Sequence, residues 1–287
     1  MNSVISPVSR YLSMIKFSHS VFALPFAFTG ALLASNGIPD FEKLLWIVVA
    51  MVGARTAAMG FNRIIDRKID SLNPRTKNRE IPTGVVSIRS ALILSITALL
   101  VLFFAAYKLN PLCLMLSPIA VFVFIGYSYT KRFTWMSHFV LGMALSAAPL
   151  GAWIGIKGTF DPEIIPLGIA VVFWLAGFDT LYALQDLVFD KIEGLHSIPA
   201  RFGEKLSLVL ARIFHAVAWL MFLLNGILFD LNCIYWIGLV IVGVMLAYEH
   251  SLIKHNDLSR LDMAFFNMNG YISITVFFFT LLAILLS

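Results

Sequence analysis

Residues 164–190 read IIPLGIAVVFWLAGFDTLYALQDLVFD, an apolar run that leads into three spaced aspartates. No charged residue interrupts the run before Asp179. Because a helix needs about 20 apolar residues to cross the hydrocarbon core of a bilayer, the run predicts a transmembrane helix over Ile164–Tyr182. Asp186 and Asp190 then follow at the membrane boundary.

The composition of the whole chain is that of a membrane protein. Of its 287 residues, 60% are apolar and 13% are charged, whereas soluble domains are about half apolar and about a quarter charged. This composition excludes a soluble enzyme, a disordered chain and a secreted disulfide scaffold. The two cysteines and six histidines show neither disulfide nor metal-site spacing. The predicted fold class is all-α, a polytopic membrane protein.

Apolar runs predict nine transmembrane helices in a single bundle, which form one domain over residues 1–287. A cleavable signal peptide is an alternative for the first run, but eight further spans need no removable leader. The predicted spans are Val21–Ser35, Leu44–Phe61, Ala91–Tyr107, Leu112–Tyr127, Ser137–Ile156, Ile164–Tyr182, Leu206–Phe229, Cys233–Glu249 and Ala264–Leu286.

Positive charge sorts to one side of these spans. With the N-terminus in the cytoplasm, the opposite side receives only Lys43, Lys108 and Lys157 of the 21 basic residues, and Arg55 lies within a span. Positive residues accumulate in cytoplasmic loops. We therefore expect an inner-membrane protein with a cytoplasmic N-terminus, and we attribute the net charge of +5 to these loops and not to a nucleic-acid partner.

The first acidic cluster continues the second predicted span and reads NRIIDRKID, residues 62–70. Asn62, Asp66 and Asp70 are spaced four residues apart, so they share one face of a continuing helix. The second cluster continues the sixth span, Ile164–Tyr182. Its members, at intervals typical of one helical face, are Asp179, Tyr182, Asp186 and Asp190.

Both clusters are expected at the cytoplasmic boundary, which suggests a metal site. Two carboxylates about 6 Å apart repel each other by ~3 kcal/mol at an effective dielectric constant of about 20, so facing acidic pairs need cations between them. Mg²⁺ prefers hard oxygen ligands, commonly one or two carboxylates together with substrate phosphates. The alternative is that the acids are solvated helix ends, where such a pair costs only a few tenths of a kcal/mol.

Arg55 lies about two helical turns before Asn62, inside the second predicted span. A guanidinium at that depth is usually paired or functional. The sequence leaves open a pairing with Asp179 or Glu249, or a contact with the carboxylate of an acidic substrate.

The two acidic motifs resemble a known family. The pattern N-x-x-x-D-x-x-x-D followed by R-T-x-N-R-x-I-P-x-G, and the later D-T-x-Y-A-x-x-D-x-x-x-D, resemble the two signatures of the UbiA superfamily of intramembrane prenyltransferases. The segment YSYTKRFT, residues 127–134, is similar to a loop of that family. The likeness extends over nearly the whole chain, and the second motif is most similar to the 4-hydroxybenzoate polyprenyltransferase branch.

The resemblance implies an Mg²⁺-dependent enzyme that transfers a polyprenyl group from an allylic diphosphate to an aromatic acid. It implies that the polyprenyl diphosphate enters from the bilayer and the aromatic acid from the cytoplasm. No obligate protein partner is inferred. Lys131, Arg67 and Tyr182 are expected at the diphosphate, and Arg55 at the carboxylate of the acceptor. The implied metal ligands are Asn62, Asp66, Asp70, Asp186 and Asp190, and the proposed catalytic acids are Asp66, Asp70, Asp179, Asp186 and Asp190.

Two positions depart from the family pattern. Arg63 follows Asn62 where the family usually has an aspartate, and Glu80 stands where proline is common. These departures leave the acceptor open between a 4-hydroxybenzoate-like acid and a naphthoate-type acid of a menaquinone route.

Two other classes of membrane protein also carry acids in or near helices. A transporter would place them near the midplane in matched half-repeats, but here they cluster at one boundary. A CDP-alcohol phosphatidyltransferase needs a D-G-x-x-A-R run, which the sequence lacks.

Overall fold

The computed structural model describes residues 7–15, 23–253, 258, 260–261 and 268–287, and this part of the chain contains helices and no strand. The α-helices, in chain order, are α1 Pro7–Met14, α2 Leu24–Ser35, α3 Phe41–Leu72, α4 Ile88–Leu109, α5 Pro111–Thr130, α6 Ser137–Lys157, α7 Ile165–Tyr182, α8 Leu187–Ile192, α9 Ile198–Leu228, α10 Cys233–Leu252 and α11 Asn269–Leu285. Short 3₁₀ turns precede and follow α7, at Pro162–Ile164 and Ala183–Asp186.

The helices fit the predicted spans in position. Among the described residues, seven helical segments are long and apolar enough to cross a membrane, and α2 and α11 are shorter apolar helices. The all-helical, multi-pass fold is thereby confirmed, whereas nine crossings remain a prediction. Residues 21–22 and 264–267 of the predicted end spans, and Lys16 and Lys254 of the charge sorting, lie outside the described residues.

Helix α3 includes both the second predicted span and the first acidic cluster. Asp40 caps this helix by accepting a hydrogen bond from the backbone N–H of Glu42 at 2.8 Å. From there α3 continues for 32 residues, which at 1.5 Å per residue is longer than the hydrocarbon core of about 30 Å. The helix therefore persists through Asp70, and the predicted shared face of Asn62, Asp66 and Asp70 is confirmed.

The second cluster does not continue one helix as predicted. Helix α7 ends at Tyr182, the residues to Asp186 form a 3₁₀ turn, and Asp190 lies in the short helix α8. The tighter turn changes the angular spacing of the side chains. The prediction that Asp179, Tyr182, Asp186 and Asp190 lie on one continuous helical face is wrong, since the last two belong to a separate segment.

The core packs large rings from several helices. Phe26 of α2 contacts Trp174 of α7 edge to face, with ring centroids 5.0 Å apart, and stacks on Phe222 of α9 at 6.0 Å. Trp153 of α6 belongs to the same buried cluster. This packing fixes α6, α7 and α9 against one another, and the ends of these three helices carry part of the polar site described below.

Close packing of α2 on α6 depends on Gly30. A Cβ atom at this position would lie 2.3 Å from the backbone oxygen of Pro149, and small residues permit such contacts between membrane helices.

We expect Gly30→Ala to destabilise the protein by about 1–3 kcal/mol, measured as a lower melting temperature in detergent. Gly126→Ala is the control, because no atom lies within 4 Å of its Cβ position. Equal melting temperatures for the two variants would contradict this packing.

Candidate active site

Of the two aspartates in the first cluster, Asp66 has more side-chain hydrogen-bond partners in the described part of the chain. Its side chain is 2% exposed, and it accepts hydrogen bonds from Lys131 Nζ at 2.7 Å and from Arg132 Nη2 at 3.0 Å. Asn62 Nδ2 also donates to Asp66 at 3.0 Å and contacts Ser128 Oγ at 3.2 Å. The end of α3 is thus joined to the end of α5 and the turn that follows it.

Asp70, one turn further along α3, faces the loop that follows the helix. Arg79 Nη1 donates to both carboxylate oxygens of Asp70, at 2.8 and 2.9 Å. Thr76 Oγ1 donates to the backbone oxygen of Asp70 at 3.1 Å. These contacts fold residues 73–79 back over the end of α3.

The same loop reaches the second acidic segment. Asn73 Nδ2 donates to Asp186 Oδ1 at 2.8 Å, and Arg75 donates to both oxygens of Asp186. Arg75 also donates to the hydroxyl of Tyr182 at 3.2 Å and lies over its ring. Burial lowers the pKa of Arg75, but the hydrogen bond and charge of Asp186 outweigh it and raise this pKa above its ordinary value. The guanidinium therefore stays charged.

Lys131 connects the two segments a second time. Its ammonium group contacts Asp66, and its backbone oxygen accepts a hydrogen bond from His196 N at 2.7 Å, just after α8. In this region Ser197 Oγ donates to Asp190 at 2.8 Å. The structure therefore brings the first cluster, Asp186 and Asp190 to one end of the bundle, with basic side chains between the acids.

Asp179 forms no ion pair with the Lys and Arg side chains of this charged layer, nor with any other in the described part of the chain. Its Oδ2 is 2.7 Å from His138 Nδ1 at the start of α6, and its side chain is 21% exposed. Glu249, the other partner considered for Arg55, is 1% exposed and accepts a hydrogen bond from Asn269 Nδ2 at 3.3 Å. Arg55 itself lies in α3, on the membrane side of Asn62.

The side chains predicted to bind a diphosphate differ in their surroundings. Lys131 and Tyr182 lie within the charged layer, as described above. Arg67 donates to the backbone oxygen of Ile64 in its own helix at 2.7 Å, and it forms no ion pair among the described residues. Its predicted role thus has less support from contacts than those of Lys131 and Tyr182.

The two departures from the family pattern both contact α1. Arg63, 4% exposed, donates from Nε to the backbone oxygen of Met14 at 3.2 Å. Glu80 accepts a hydrogen bond from Ser13 Oγ at 2.6 Å. These two residues therefore hold the N-terminal helix against α3 and the loop that follows it.

The donor set suits Mg²⁺ in its chemistry. Within the described ranges, no three His, Cys, Asp or Glu side chains form a group that could hold a metal alone. Mg²⁺ typically needs only one or two protein carboxylates, because substrate phosphates and waters complete its shell. Asp66 and Asp186 supply such hard oxygen ligands, and their present cationic partners are suited to bind phosphate oxygens.

Sequence reasoning assigned no particular role to several residues of this site. Arg75 and Arg79 belong to the first motif and Arg132 to the segment at residues 127–134, but nothing in the sequence links them to particular partners. Asn73 and His138 carried no signal, because their contacts join residues 113 and 41 positions apart.

Comparisons with known proteins identify the family of this chain. The family model of the UbiA prenyltransferase family matches residues 23–285. The chain is 30% identical over 249 residues to the 4-hydroxybenzoate octaprenyltransferase of Francisella tularensis subsp. mediasiatica (strain FSC147), covering 87% of each chain. It is 33% identical over 247 residues to the protein of that name from Aliivibrio salmonicida (strain LFI1238), covering 85% of this chain and 86% of the relative.

Solved structures of similar fold include two UbiA homologues. The apo structure of a UbiA homologue from Aeropyrum pernix K1 is 31% identical and superposes with a TM-score of 0.83, over 90% of this chain and 95% of that one. A UbiA homologue from Archaeoglobus fulgidus, solved with DMAPP and Mg²⁺ bound, is 18% identical with a TM-score of 0.70, over 95% of this chain and 99% of that one. The second likeness concerns the fold alone.

Proposed function

Since the chain belongs to the UbiA prenyltransferase family, we propose that it transfers a polyprenyl group from an allylic polyprenyl diphosphate to the ring of a 4-hydroxybenzoate-like acid in quinone biosynthesis. Relatives of nearly full length carry the name 4-hydroxybenzoate octaprenyltransferase. The observation that carries the proposal is the meeting of two remote acidic segments around Lys131, Arg75 and Arg79.

The diphosphate is proposed to bind at this charged layer. The ligands proposed for Mg²⁺ are Asn62, Asp66, Asp70, Asp186 and Asp190, and the bound metal would neutralise charge on the departing diphosphate. Lys131, Arg67 and Tyr182 are the proposed diphosphate contacts. Arg75 and Arg79 join them, because each can exchange its carboxylate partner for a phosphate oxygen.

The reaction would proceed by substitution on the aromatic ring. The allylic C–O bond breaks and its electron pair leaves with the diphosphate, and a ring carbon beside the hydroxyl forms the new C–C bond. The proton of that carbon then passes to a carboxylate. Asp179 is the proposed acceptor, because Asp186 is already assigned to the metal, whereas Asp179 is not a proposed metal ligand and pairs only with the side chain of His138 in the described part of the chain.

Arg55 is proposed to hold the carboxylate of the aromatic acid. Hydrogen bonds to charged groups contribute about 1.5–3 kcal/mol, so we expect Arg55→Ala to raise the KM for the aromatic acid by about tenfold or more. The KM for the polyprenyl diphosphate should change little. The exposed Arg89 offers the control Arg89→Ala. A KM for the acid that is equal in both variants would reject this role.

The protein is proposed to lie in the inner membrane with its N-terminus and active site on the cytoplasmic side, as one domain over residues 1–287. In its support, the basic side chains of the site gather at the end of the bundle that the charge sorting assigns to the cytoplasm.

The test is a transfer assay on membranes that contain the protein. Radiolabelled polyprenyl diphosphate is supplied with 4-hydroxybenzoate or with a naphthoate-type acid, with and without Mg²⁺. We expect labelled prenyl-4-hydroxybenzoate only with the metal. If only the naphthoate-type acid is prenylated, the acceptor is an acid of a menaquinone route. If neither acid is prenylated, the result contradicts prenyl transfer to aromatic acids.

A further inference from the structure

His138 uses both ring nitrogens, and its side chain is 4% exposed. The backbone N–H of Ile198, at the start of α9, lies 3.2 Å from Nε2, and Nδ1 lies 2.7 Å from Asp179 Oδ2. An amide N–H can only donate, so Nε2 must accept with its lone pair. Nδ1 then carries the ring proton and donates it to the carboxylate. The contacts therefore define one neutral tautomer of the imidazole.

We propose that His138 is a positioning residue, which holds the carboxylate of Asp179 in the orientation that accepts the ring proton of the aromatic acid. This inference rests on the proposed function. His138 does not itself relay the proton, because its second nitrogen is occupied by a backbone amide that cannot pass one on. The proton stays on Asp179, whose side chain is 21% exposed, until it passes to solvent.

The position of Asp179 explains why it needs such a partner. It lies in the last turn of α7, immediately before the helix tightens into the 3₁₀ turn at Ala183–Asp186. A catalytic group must be held close to its productive geometry, and a fixed hydrogen bond provides this. His138 comes from α6 and is itself held by α9, so three helices determine where the carboxylate points.

The same contacts connect the two ends of the site. Ser197, the residue before Ile198, caps α9 by accepting a hydrogen bond from Ala200 N at 3.2 Å and donates to Asp190 at 2.8 Å. The start of α9 thus holds His138, and through it Asp179, on one side and Asp190 on the other. This arrangement fixes the distance between the proton acceptor and a proposed metal ligand.

Two substitutions separate the two contacts of His138. Asparagine places its amide near the position of Nδ1, so His138→Asn keeps a donor to Asp179 and loses the acceptor for Ile198 N–H. Glutamine reaches the position of Nε2, so His138→Gln keeps that acceptor and loses the donor. His196→Gln is the matched control, because this exposed histidine forms no side-chain hydrogen bond in the described part of the chain.

We expect His138→Gln to lower kcat by about tenfold or more, with an unchanged KM for the polyprenyl diphosphate and an unchanged melting temperature. His138→Asn should recover at least a third of the wild-type kcat. In an Asp179→Asn background, where no carboxylate remains to be oriented, His138→Gln should lower kcat no further.

Three results would overturn the inference while the wild type still transfers the prenyl group. The first is a wild-type kcat in His138→Gln, and the second is a loss of kcat in His138→Asn but not in His138→Gln. The third is that His138→Gln lowers kcat in the Asp179→Asn background by the same factor as in the wild type. The second result would assign His138 to the start of α9 alone. An inactive wild type would instead contradict the proposed function.

Discussion

Replacing Asp66 with asparagine is expected to lower kcat/KM for prenyl transfer by about a hundredfold or more. The substitution removes the negative charge that Lys131 and Arg132 share and deletes a proposed metal ligand. A loss of this size matches the range, roughly 10²–10³-fold, by which kcat falls when one charge-stabilising group is removed from an active site. The measurement is steady-state transfer by the purified protein in detergent.

Two further variants show whether the loss is specific to the site. Asp161→Asn changes an acid that contacts Trp153 and Lys157 and lies between α6 and α7, away from the charged layer, so it should keep activity within about twofold of the wild type. Asp66→Glu keeps the charge and reports whether the fold survives a change at this position. An Asp66→Asn protein that melts like the wild type and transfers at the wild-type rate would remove Asp66 from the site.

Removing divalent cations is expected to reduce transfer to below about 1% of its rate, and Mg²⁺ should restore it. A leaving diphosphate carries several negative charges, and stabilising them is commonly the largest contribution to such catalysis. The melting temperature should change little on chelation, because Lys131, Arg75 and Arg79 already pair with the carboxylates. Full activity in the chelator would contradict the metal assignment, and excess Mg²⁺ with the chelator is the control.

The family and the helical architecture could be predicted from local sequence. Apolar runs define the helices, and the four-residue spacing of Asn62, Asp66 and Asp70 gave their common face because α3 does extend to Leu72. The two acidic motifs predicted the UbiA family, and the comparisons confirm it. These features depend on neighbours along the chain or on a motif as a whole.

The break after α7 could not be predicted in this way. Residues 183–186 read ALQD, and nothing in them disfavours a helix strongly. The structure tightens them into a 3₁₀ turn, and Asp186 there contacts Arg75 and Asn73 from a loop more than a hundred residues earlier. Such a long-range contact overrides local helix propensity, and it cannot be inferred from a single sequence.

The same limit applies to the role of His138. A single histidine near the start of an apolar helix has no periodicity or motif, and its meaning comes only from Asp179 and Ile198, which α7 and α9 supply. The loop arginines illustrate the point as well. Their charge was evident, but only folding pairs Arg79 with Asp70 and Arg75 with Asp186.

The central claim is that both acidic segments together bind one metal–diphosphate group, and equilibrium binding tests it most directly. Radiolabelled polyprenyl diphosphate is titrated onto the purified protein without an aromatic acid, with and without Mg²⁺, for the wild type, Asp66→Asn and Asp190→Asn. We predict that Mg²⁺ tightens binding by about tenfold or more in the wild type and in neither variant. Full Mg²⁺ enhancement in both variants would contradict a site shared by the two segments.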